Sequence, residues 1–186
     1  MKIYVARHAE TNYNELGLAN DDPNVNVFLT KKGKEQAKKL AKELKDKQID
    51  LIIVSGLNRT RETAEIVNQY HKAPIIVDKN LNDNRSGYEG RLISDYNKER
   101  DSSEFPLEVR LNGGESILDV YARTKVFLDS LINRSEENIL VVTSSIIVQQ
   151  INNIIDGLPV EIPGTPVPNA SCLEFDLNKY FSKETK

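Results

Sequence analysis

The chain has 186 residues, of which 28% are charged, and a formal net charge of -3. This length is enough for a full hydrophobic core, so we expect a single domain over residues 1–186. A small negative net charge gives no global attraction to nucleic acid or to an anionic membrane, and we expect neither as a partner. An anionic ligand would therefore have to be bound by a local cluster of arginines.

Cysteine content and hydropathy exclude several further classes of protein. Cys172 is the only cysteine, which excludes an intramolecular disulfide and a multi-cysteine zinc site. Its apolar surroundings favour a buried structural thiol. No signal-peptide pattern starts the chain, and no apolar run approaches the length of a membrane span. We therefore expect a cytoplasmic protein that uses no metal and no cofactor.

Five short runs rich in β-branched residues predict strands. In chain order they are KIYVA (2–6), DLIIVS (50–55), PIIVD (74–78), NILVVT (138–143) and SCLEFD (171–176). The runs at 50–55 and 138–143 are almost continuously apolar, which is typical of strands buried on both faces of a sheet.

Helical periodicity separates these strands. Thr30 is a predicted N-cap, and the residues after it place Ala37, Leu40, Ala41 and Leu44 on one stripe. Further helices are expected over 115–134, after Leu57, and over 145–156, where Gly157 and Pro159 end the pattern.

The alternation of strands and helices predicts an α/β fold with three layers, α/β/α, around a mostly parallel central sheet. Residues 79–114 have weak periodicity and many polar side chains. We interpret this segment as an excursion over one edge of the sheet that acts as a substrate lid. Residues 157–170 form a proline-rich loop that leads into the last strand.

The predicted strands end in residues that suit an anion site. Ligands of open α/β sheets bind beyond the carboxyl ends of the strands. There the first strand ends in Arg7 and His8, the second leads to Arg59, and the fourth ends in Thr143, Ser144 and Ser145. Guanidinium groups beside helix N-termini match the oxygens of phosphate. No P-loop and no GxGxxG motif is present, so these residues do not form a nucleotide cradle of either kind.

A histidine among arginines and phosphate has one distinctive use, which is nucleophilic attack on phosphorus. Its attacking nitrogen must be neutral, and a carbonyl at the other nitrogen fixes that tautomer. From the residues alone, a purely structural His8 remains an alternative. His71, the other histidine, follows a predicted helix and is interpreted as a surface residue.

Several motifs of this chain resemble those of the histidine phosphatase superfamily, the phosphoglycerate mutase-like proteins. Arg7, His8, Glu10, Thr11 and Asn14 match an Arg-His-Gly motif that is followed by an acid, a threonine and an asparagine. Four more segments also match in order, namely LTKKGKEQA (29–37), SGLNRTRETA (55–64), GGES (113–116) and PNASCLEF (168–175). The resemblance covers nearly the whole chain and implies the phosphoglycerate mutase-like fold. It also implies that His8 becomes a phosphohistidine, with Arg7, Arg59 and Asn14 binding the phosphoryl group.

Two positions depart from the family pattern. The family has a second histidine after the fourth strand, where this chain has Ser144, and loss of one transition-state donor typically costs about 10²–10³ in rate. The family's proton donor is a glutamate, whereas Asp83 stands in that place with a side chain shorter by about 1.5 Å. Glu89 is the alternative acid.

The resemblance implies a phosphatase that hydrolyses a small phosphorylated metabolite or another phosphomonoester through phospho-His8, with reduced activity. A second reading is a catalytically impaired protein that binds a phosphorylated ligand without turnover, because Ser144 replaces a charged group while Arg7 and Arg59 remain. A phosphoglycerate mutase is less expected, since mutases generally have longer chains. An engineered replacement of the histidine at position 144 is a further explanation. Ser145 disfavours it, because this residue also departs from the family, which has a glycine there, and a single engineered change would not explain both.

Overall fold

The computed structural model describes residues 1–161, 163–164 and 166–184, and in these residues five strands form one mixed sheet. The strands are β1 (Lys2–Arg7), β2 (Leu51–Val54), β3 (Ile75–Val77), β4 (Asn138–Thr143) and β5 (Cys172–Asp176). Their order is β3-β2-β4-β1-β5, and only the β1–β5 pair is antiparallel. The five strands and the mostly parallel sheet agree with the sequence prediction.

Seven α-helices accompany the sheet in the described part of the chain. They are α1 (Asn12–Leu16), α2 (Lys31–Leu44), α3 (Asn58–Val67), α4 (Ile93–Asp101), α5 (Ile117–Ser130), α6 (Ser145–Asp156) and α7 (Leu177–Glu184). The helices expected after Thr30, after Leu57, within 115–134 and over 145–156 are therefore all present.

The helices cover both faces of the sheet. One apolar cluster joins α2 and α3 to side chains such as Ile52 and Leu140, while α5, α6 and α7 pack on the other face against side chains such as Ile53 and Val141. Successive residues of a strand point to opposite faces, which explains why neighbours such as Leu140 and Val141 belong to different clusters. The expected three-layer α/β/α arrangement is confirmed.

Capping residues fix where the longer helices begin and end. The Oγ1 of Thr30 accepts a hydrogen bond from the backbone N–H of Gly33 at 2.9 Å, as expected for an N-cap. The stripe from Ala37 to Leu44 is buried as predicted. At the other end of the chain, α6 stops at Gly157, which adopts a left-handed conformation with φ 71°.

The 79–114 segment is bound near its start to the ends of β4 and β2, through Leu81 and Asn82. It contains two short 3₁₀ turns and α4, a helix that its weakly amphipathic sequence did not predict. The amide of Ala19 donates to the carbonyl of Arg91, and the amide of Gly90 donates to the carbonyl of Ala19. These bonds join the segment to the loop that follows α1.

The proline-rich loop returns the chain to the end of β1. Ile162 and Thr165 lie outside the described residues, and the rest of 157–170 forms neither helix nor strand. The amide of Ala170 donates to the carbonyl of Arg7 at 3.1 Å, so the loop closes against the strand end that bears Arg7 and His8. Within the described residues, no helix is both long enough and apolar enough to span a membrane.

Gly33 has a steric reason to be glycine. A Cβ atom at this position would lie 2.0 Å from the carbonyl oxygen of Glu10, which belongs to the loop after His8. We expect Gly33→Ala to lower the free energy of unfolding by about 1–3 kcal/mol, as other overpacking changes do. Urea unfolding checks this, with the exposed Lys34→Ala on the same helix as the control. Equal stability of the two variants would contradict the steric explanation.

Candidate functional site

The carboxyl ends of β1, β2 and β4 meet at a cavity of about 380 Å³. Arg7 and His8 line it from the end of β1, Arg59 from the first turn of α3, and Ser145 from the start of α6. Asn14, Asp83 and Asn169 come from the surrounding loops and helices. Sequence positions from 7 to 169 therefore converge on one site.

His8 presents a defined nitrogen in this site. The ring is buried, its Nδ1 lies 2.8 Å from the carbonyl oxygen of Ala9, and its Nε2 lies 3.1 Å from the Nε of Arg59. A carbonyl can only accept and a guanidinium can only donate, so the two contacts assign Nδ1–H as the donor and Nε2 as the acceptor. The imidazole is thus held as the neutral tautomer with its lone pair on Nε2.

Three elements hold the backbone that carries this ring. The amide of His8 donates to the carbonyl of Thr143 at 2.9 Å, and its own carbonyl accepts from Asn169 Nδ2 at 3.0 Å. The amide of Ala9 donates to Thr63 Oγ1 at 3.0 Å. The orientation of His8 is therefore set jointly by β4, α3 and the proline-rich loop.

The electrostatics of the site keep His8 uncharged. Burial lowers the pKa of His8 well below 6.5, and the nearby Arg59 and Arg7 lower it further. The Ala9 carbonyl opposes this shift because it favours the protonated Nδ1. At neutral pH the ring is consequently available as a nucleophile and not as a cation.

Arg59 connects the other groups of the cavity. Besides donating to His8, it bonds both the side-chain and the main-chain oxygen of Asn20 and donates from Nη2 to Asp83 Oδ2 at 2.8 Å. Its side chain is buried. Because its Nε, Nη1 and Nη2 all donate hydrogen bonds, this buried guanidinium is held in one orientation.

Arg7 has spare donor capacity. Its Nη1 donates to the carbonyl of Val167, whereas its buried Nε has no hydrogen-bond partner among the described residues. Burial lowers the pKa of Arg7, although a guanidinium remains charged in proteins. Arg7 and Arg59 therefore leave the cavity with positive charge that Asp83 offsets only in part.

Asn14 is fixed by the turn that follows β1. Its Oδ1 accepts from the backbone N–H of Thr11 at 3.1 Å and from Asn169 Nδ2 at 3.2 Å. Because Oδ1 accepts both bonds, Nδ2 is the atom of this amide that can donate to a ligand. The expected group of His8, Arg7, Arg59 and Asn14 does lie around one cavity.

The two candidate acids occupy different places. Asp83 lines the cavity, is about a quarter exposed, and pairs with Arg59. Glu89 lies outside the lining, and its carboxylate accepts bonds from the backbone N–H groups of Asp21 and Asp22 and from Asn20 Nδ2. Glu89 thus orders the loop that contacts Arg59, and Asp83 is the candidate acid that lines the same cavity as His8.

Ser144 lies next to the site without opening into it. It is the N-cap of α6, its side chain is 2% exposed, and its Oγ has no partner among the described residues. Ser145 lines the cavity instead, and its Oγ accepts from the amide of Val167 at 2.8 Å. Ser145 therefore binds the amide of Val167, the residue whose carbonyl accepts a hydrogen bond from Arg7.

His71 and Cys172 do not line this cavity. His71 follows a 3₁₀ turn after α3 and is partly exposed. Cys172 is partly buried on β5, and burial raises the pKa of its thiol to about 12, which makes it a poor nucleophile. In the described part of the chain, no cluster of three or more His, Cys, Asp or Glu residues could hold a metal ion.

Comparison with known proteins identifies the family. A sequence model of the histidine phosphatase superfamily (branch 1) matches residues 3–183 of this chain. The chain belongs to the histidine phosphatase superfamily.

Relatives within this superfamily carry different names. Phosphoserine phosphatase 1 of Hydrogenobacter thermophilus is 34% identical over 152 residues, which are 77% of this chain and 70% of that protein. A probable phosphoglycerate mutase, GpmB of Escherichia coli O1:K1, is 33% identical over 139 residues, covering 70% of this chain and 62% of that protein. The expected resemblance is confirmed, and the relatives support a phosphatase kind of protein.

A solved structure supports the fold. A putative alpha-ribazole-5'-P phosphatase of Escherichia coli K-12 superposes with a TM-score of 0.78 and is 25% identical. The alignment covers 95% of this chain and 90% of that one. The phosphoglycerate mutase-like fold expected from the sequence is confirmed.

Sequence reasoning missed three residues of the site. Asn20 bonds Arg59, Asn169 bonds both His8 and Asn14, and Arg123 donates to the carbonyl of Asp83. Asn169 lies in the PNASCLEF segment, which was a usable signal for its neighbourhood. Asn20 and Arg123 stand outside every motif of this histidine phosphatase.

The lowered pKa of His8 predicts a pH dependence of stability. The unfolded chain protonates His8 near its ordinary pKa of about 6.5, whereas the folded chain does so only at lower pH. Between these two values the unfolded state binds more protons, so stability falls as the pH falls. We expect His8→Gln to flatten the decrease in the free energy of unfolding between pH 7.5 and 5.5, measured with urea.

His71→Gln provides the matched control for this measurement. Burial also lowers the pKa of His71, so it contributes with the same sign, but that residue is partly exposed and lacks the two neighbouring arginines. We expect its variant to retain most of the wild-type slope. A slope in His8→Gln equal to that of the wild type would refute the neutral, desolvated state of His8.

Proposed function

We propose that this protein is a metal-independent phosphatase that hydrolyses phosphomonoesters of small molecules through a phosphohistidine on His8. The observation that carries the proposal is the neutral His8 ring, whose Nε2 lone pair lies in a cavity beside Arg59 and Arg7. A nucleophile, two phosphate-binding guanidinium groups and a carboxyl group in one cavity are the components that transfer of a phosphoryl group requires.

The first half of the reaction forms the phosphoenzyme. Nε2 of His8 attacks phosphorus, and the bond between phosphorus and the ester oxygen breaks. The electron pair goes to the leaving oxygen, which takes a proton from the carboxyl group of Asp83. Arg7, Arg59 and the Nδ2 of Asn14 bind the phosphoryl oxygens, and Nδ1 keeps its bond to the Ala9 carbonyl as the ring becomes positively charged.

The second half returns the enzyme to its starting state. Water attacks phosphorus, its proton passes to the carboxylate of Asp83, and the bond between phosphorus and Nε2 breaks. Inorganic phosphate leaves, and the electron pair of the broken bond returns to Nε2 of His8 as its lone pair. The same carboxyl group thus acts first as an acid and then as a base.

The ion pair between Arg59 and Asp83 supports Asp83 over Glu89 as the acid. A phosphoryl group that binds Arg59 competes with Asp83 for Nη2, which is 2.8 Å from Oδ2 in the free protein. Glu89 already accepts bonds from the loop around Asp21 and would have to abandon them.

A second candidate function is binding of a phosphorylated ligand without turnover. The position of Ser144 favours it, because this side chain supplies no charge and its Oγ is buried outside the cavity lining. A mutase activity is less favoured, although one relative is a probable phosphoglycerate mutase.

Turnover of 4-nitrophenyl phosphate in the presence of a metal chelator tests the enzyme directly. We expect His8→Ala to lower kcat by about 10³-fold or more, because it removes the nucleophile. Radiolabelled substrate should leave acid-labile, alkali-stable phosphate on the wild-type protein and none on the variant. A wild-type rate no higher than that of His8→Ala refutes hydrolysis, and ligand binding that still needs Arg59 would then support the second function.

Restoring a histidine tests the cost of Ser144. We expect Ser144→His to raise kcat by about 10²–10³, since an added donor near the phosphoryl oxygens contributes on this scale. Thermal unfolding identifies a variant whose packing is disrupted by the larger side chain. Ser144→Ala is the control and should leave the rate near that of the wild type, because the Oγ has no partner to lose. A folded histidine variant without a gain would show that position 144 does not limit the rate.

A further inference from the structure

One arginine of α5 holds the segment that carries Asp83. Nη1 of Arg123 donates to the carbonyl of Asn80 at 2.6 Å, and Nη2 donates to the carbonyl of Asp83 at 3.0 Å. A single planar group therefore binds two main-chain oxygens that lie three residues apart. Only a guanidinium can span two such acceptors with a fixed geometry.

Glu115 completes this arrangement from the other side. Its two carboxylate oxygens accept from Nε and Nη2 of Arg123 at 2.9 and 3.2 Å. The same residue bonds Arg85 twice, since its carboxylate accepts from the Arg85 amide and its amide donates to the Arg85 carbonyl. The Arg123–Glu115 pair thus fixes main-chain atoms on both sides of the Asp83 side chain.

Two strand ends provide the remaining anchors of this segment. Thr143 Oγ1 donates to the carbonyl of Leu81 at 2.7 Å, and the amide of Gly56 donates to Asn82 Oδ1 at 2.7 Å. These contacts tie the segment to β4 and to the end of β2. Arg123 is the anchor that binds the carbonyl of Asp83 itself.

The short side chain of Asp83 makes this anchoring consequential. An aspartate has one rotatable bond fewer than a glutamate and cannot extend to correct a displaced backbone. A displacement of about 1 Å at a reacting group can cost on the order of 10²-fold in rate. The place of this carboxyl group therefore depends on its main chain, which Arg123 binds at the carbonyl of Asp83 itself.

We propose that Arg123 is a positioning residue for proton transfer, which holds Asp83 within reach of the leaving oxygen through its bonds to the Asn80 and Asp83 carbonyls. The proposal rests on the proposed function, in which Asp83 is the acid. Arg123 itself contacts no reacting atom in this arrangement, and its effect passes entirely through Asp83.

Leaving groups of different acidity separate this role from a general effect on folding. Phenyl phosphate and 4-nitrophenyl phosphate have nearly the same shape, but phenolate needs a proton on departure far more than 4-nitrophenolate does. We expect Asp83→Asn to reduce kcat for phenyl phosphate about 10²-fold more than for 4-nitrophenyl phosphate. Arg123→Lys should reproduce this selectivity at about 10-fold, because lysine keeps the charge beside Glu115 and loses the fork.

Controls and a double variant make the test specific. Arg110→Lys is the matched control, since Arg110 binds Asp119 through two bonds at the start of α5 and makes no hydrogen bond to residues 80–85. It should affect both substrates equally and by less than about twofold. Asp83→Asn combined with Arg123→Lys should be no more selective than Asp83→Asn alone, because both changes impair the same step, the transfer of a proton to the leaving oxygen. Arg123→Gln with Glu115→Gln provides a neutral pair if the lysine variant folds poorly.

The outcomes distinguish the two proposals. A wild-type protein no faster than His8→Ala overturns the proposed function, and the role of Arg123 with it. If the wild type is active but Asp83→Asn shows no selectivity for leaving groups, Asp83 is not the acid and Arg123 does not position one. If Asp83→Asn is selective but the Arg123 variants lower kcat equally for both substrates, only the positioning role is overturned. The same conclusion follows if the reductions in kcat caused by the Arg123 variants and by Asp83→Asn multiply when the changes are combined.

Discussion

The hydrogen bond between His8 Nδ1 and the carbonyl of Ala9 determines what the rest of this site can do. It places the proton on Nδ1, which leaves the lone pair of Nε2 in the cavity beside Arg59. With the other tautomer, an N–H on Nε2 would face a guanidinium that can only donate, and one buried donor would lose its partner. Burial and two positive neighbours then oppose protonation of the ring. His8 is therefore held as a neutral imidazole with the lone pair of Nε2 in the cavity.

In the free protein, the side chains around Arg59 form a network of internal hydrogen bonds. Arg59 binds the oxygens of Asn20 and Asp83 in addition to His8, so its guanidinium is already oriented before any ligand enters. On the proposed mechanism, phosphate replaces the Asp83 carboxylate as one of these partners. Exchange of one anion for another needs less reorganisation than ordering a free arginine, because the rotamer entropy has already been lost.

Local sequence patterns predicted the fold well because its determinants are local. The apolar run at 138–143 forms β4, the N-cap Thr30 starts α2, and Gly157 ends α6. Helix α4 was not predicted, since its sequence is polar on most sides and contacts with the loop after α1 stabilise it instead. Such contacts join residues more than 60 positions apart and have no local signature.

The site was predicted in the same uneven way. His8, Arg7 and Arg59 follow strands, and a rule about strand ends was enough to bring them together. The contacts of Arg123 and Asn20 could not be predicted from local patterns. Arg123 donates to main-chain carbonyls of a distant segment, and Asn20 accepts from the guanidinium of the distant Arg59. The sequence also gave no sign that Ser144 is buried while Ser145 faces the cavity, which depends on how the first turn of α6 is rotated.

The N-terminus of α6 can offset only part of what a histidine at position 144 would supply. This helix begins at Ser145, which lines the cavity, so the positive end of its dipole faces the cavity. Such a dipole contributes about 0.3–1 kcal/mol toward a negative charge, and up to about 2 kcal/mol when partly buried. Loss of one transition-state donor costs about 2.7–4 kcal/mol, which exceeds the contribution of this dipole. On the proposed mechanism the missing donor slows phosphoryl transfer by about 10²–10³-fold without removing the nucleophile, the arginines or the acid.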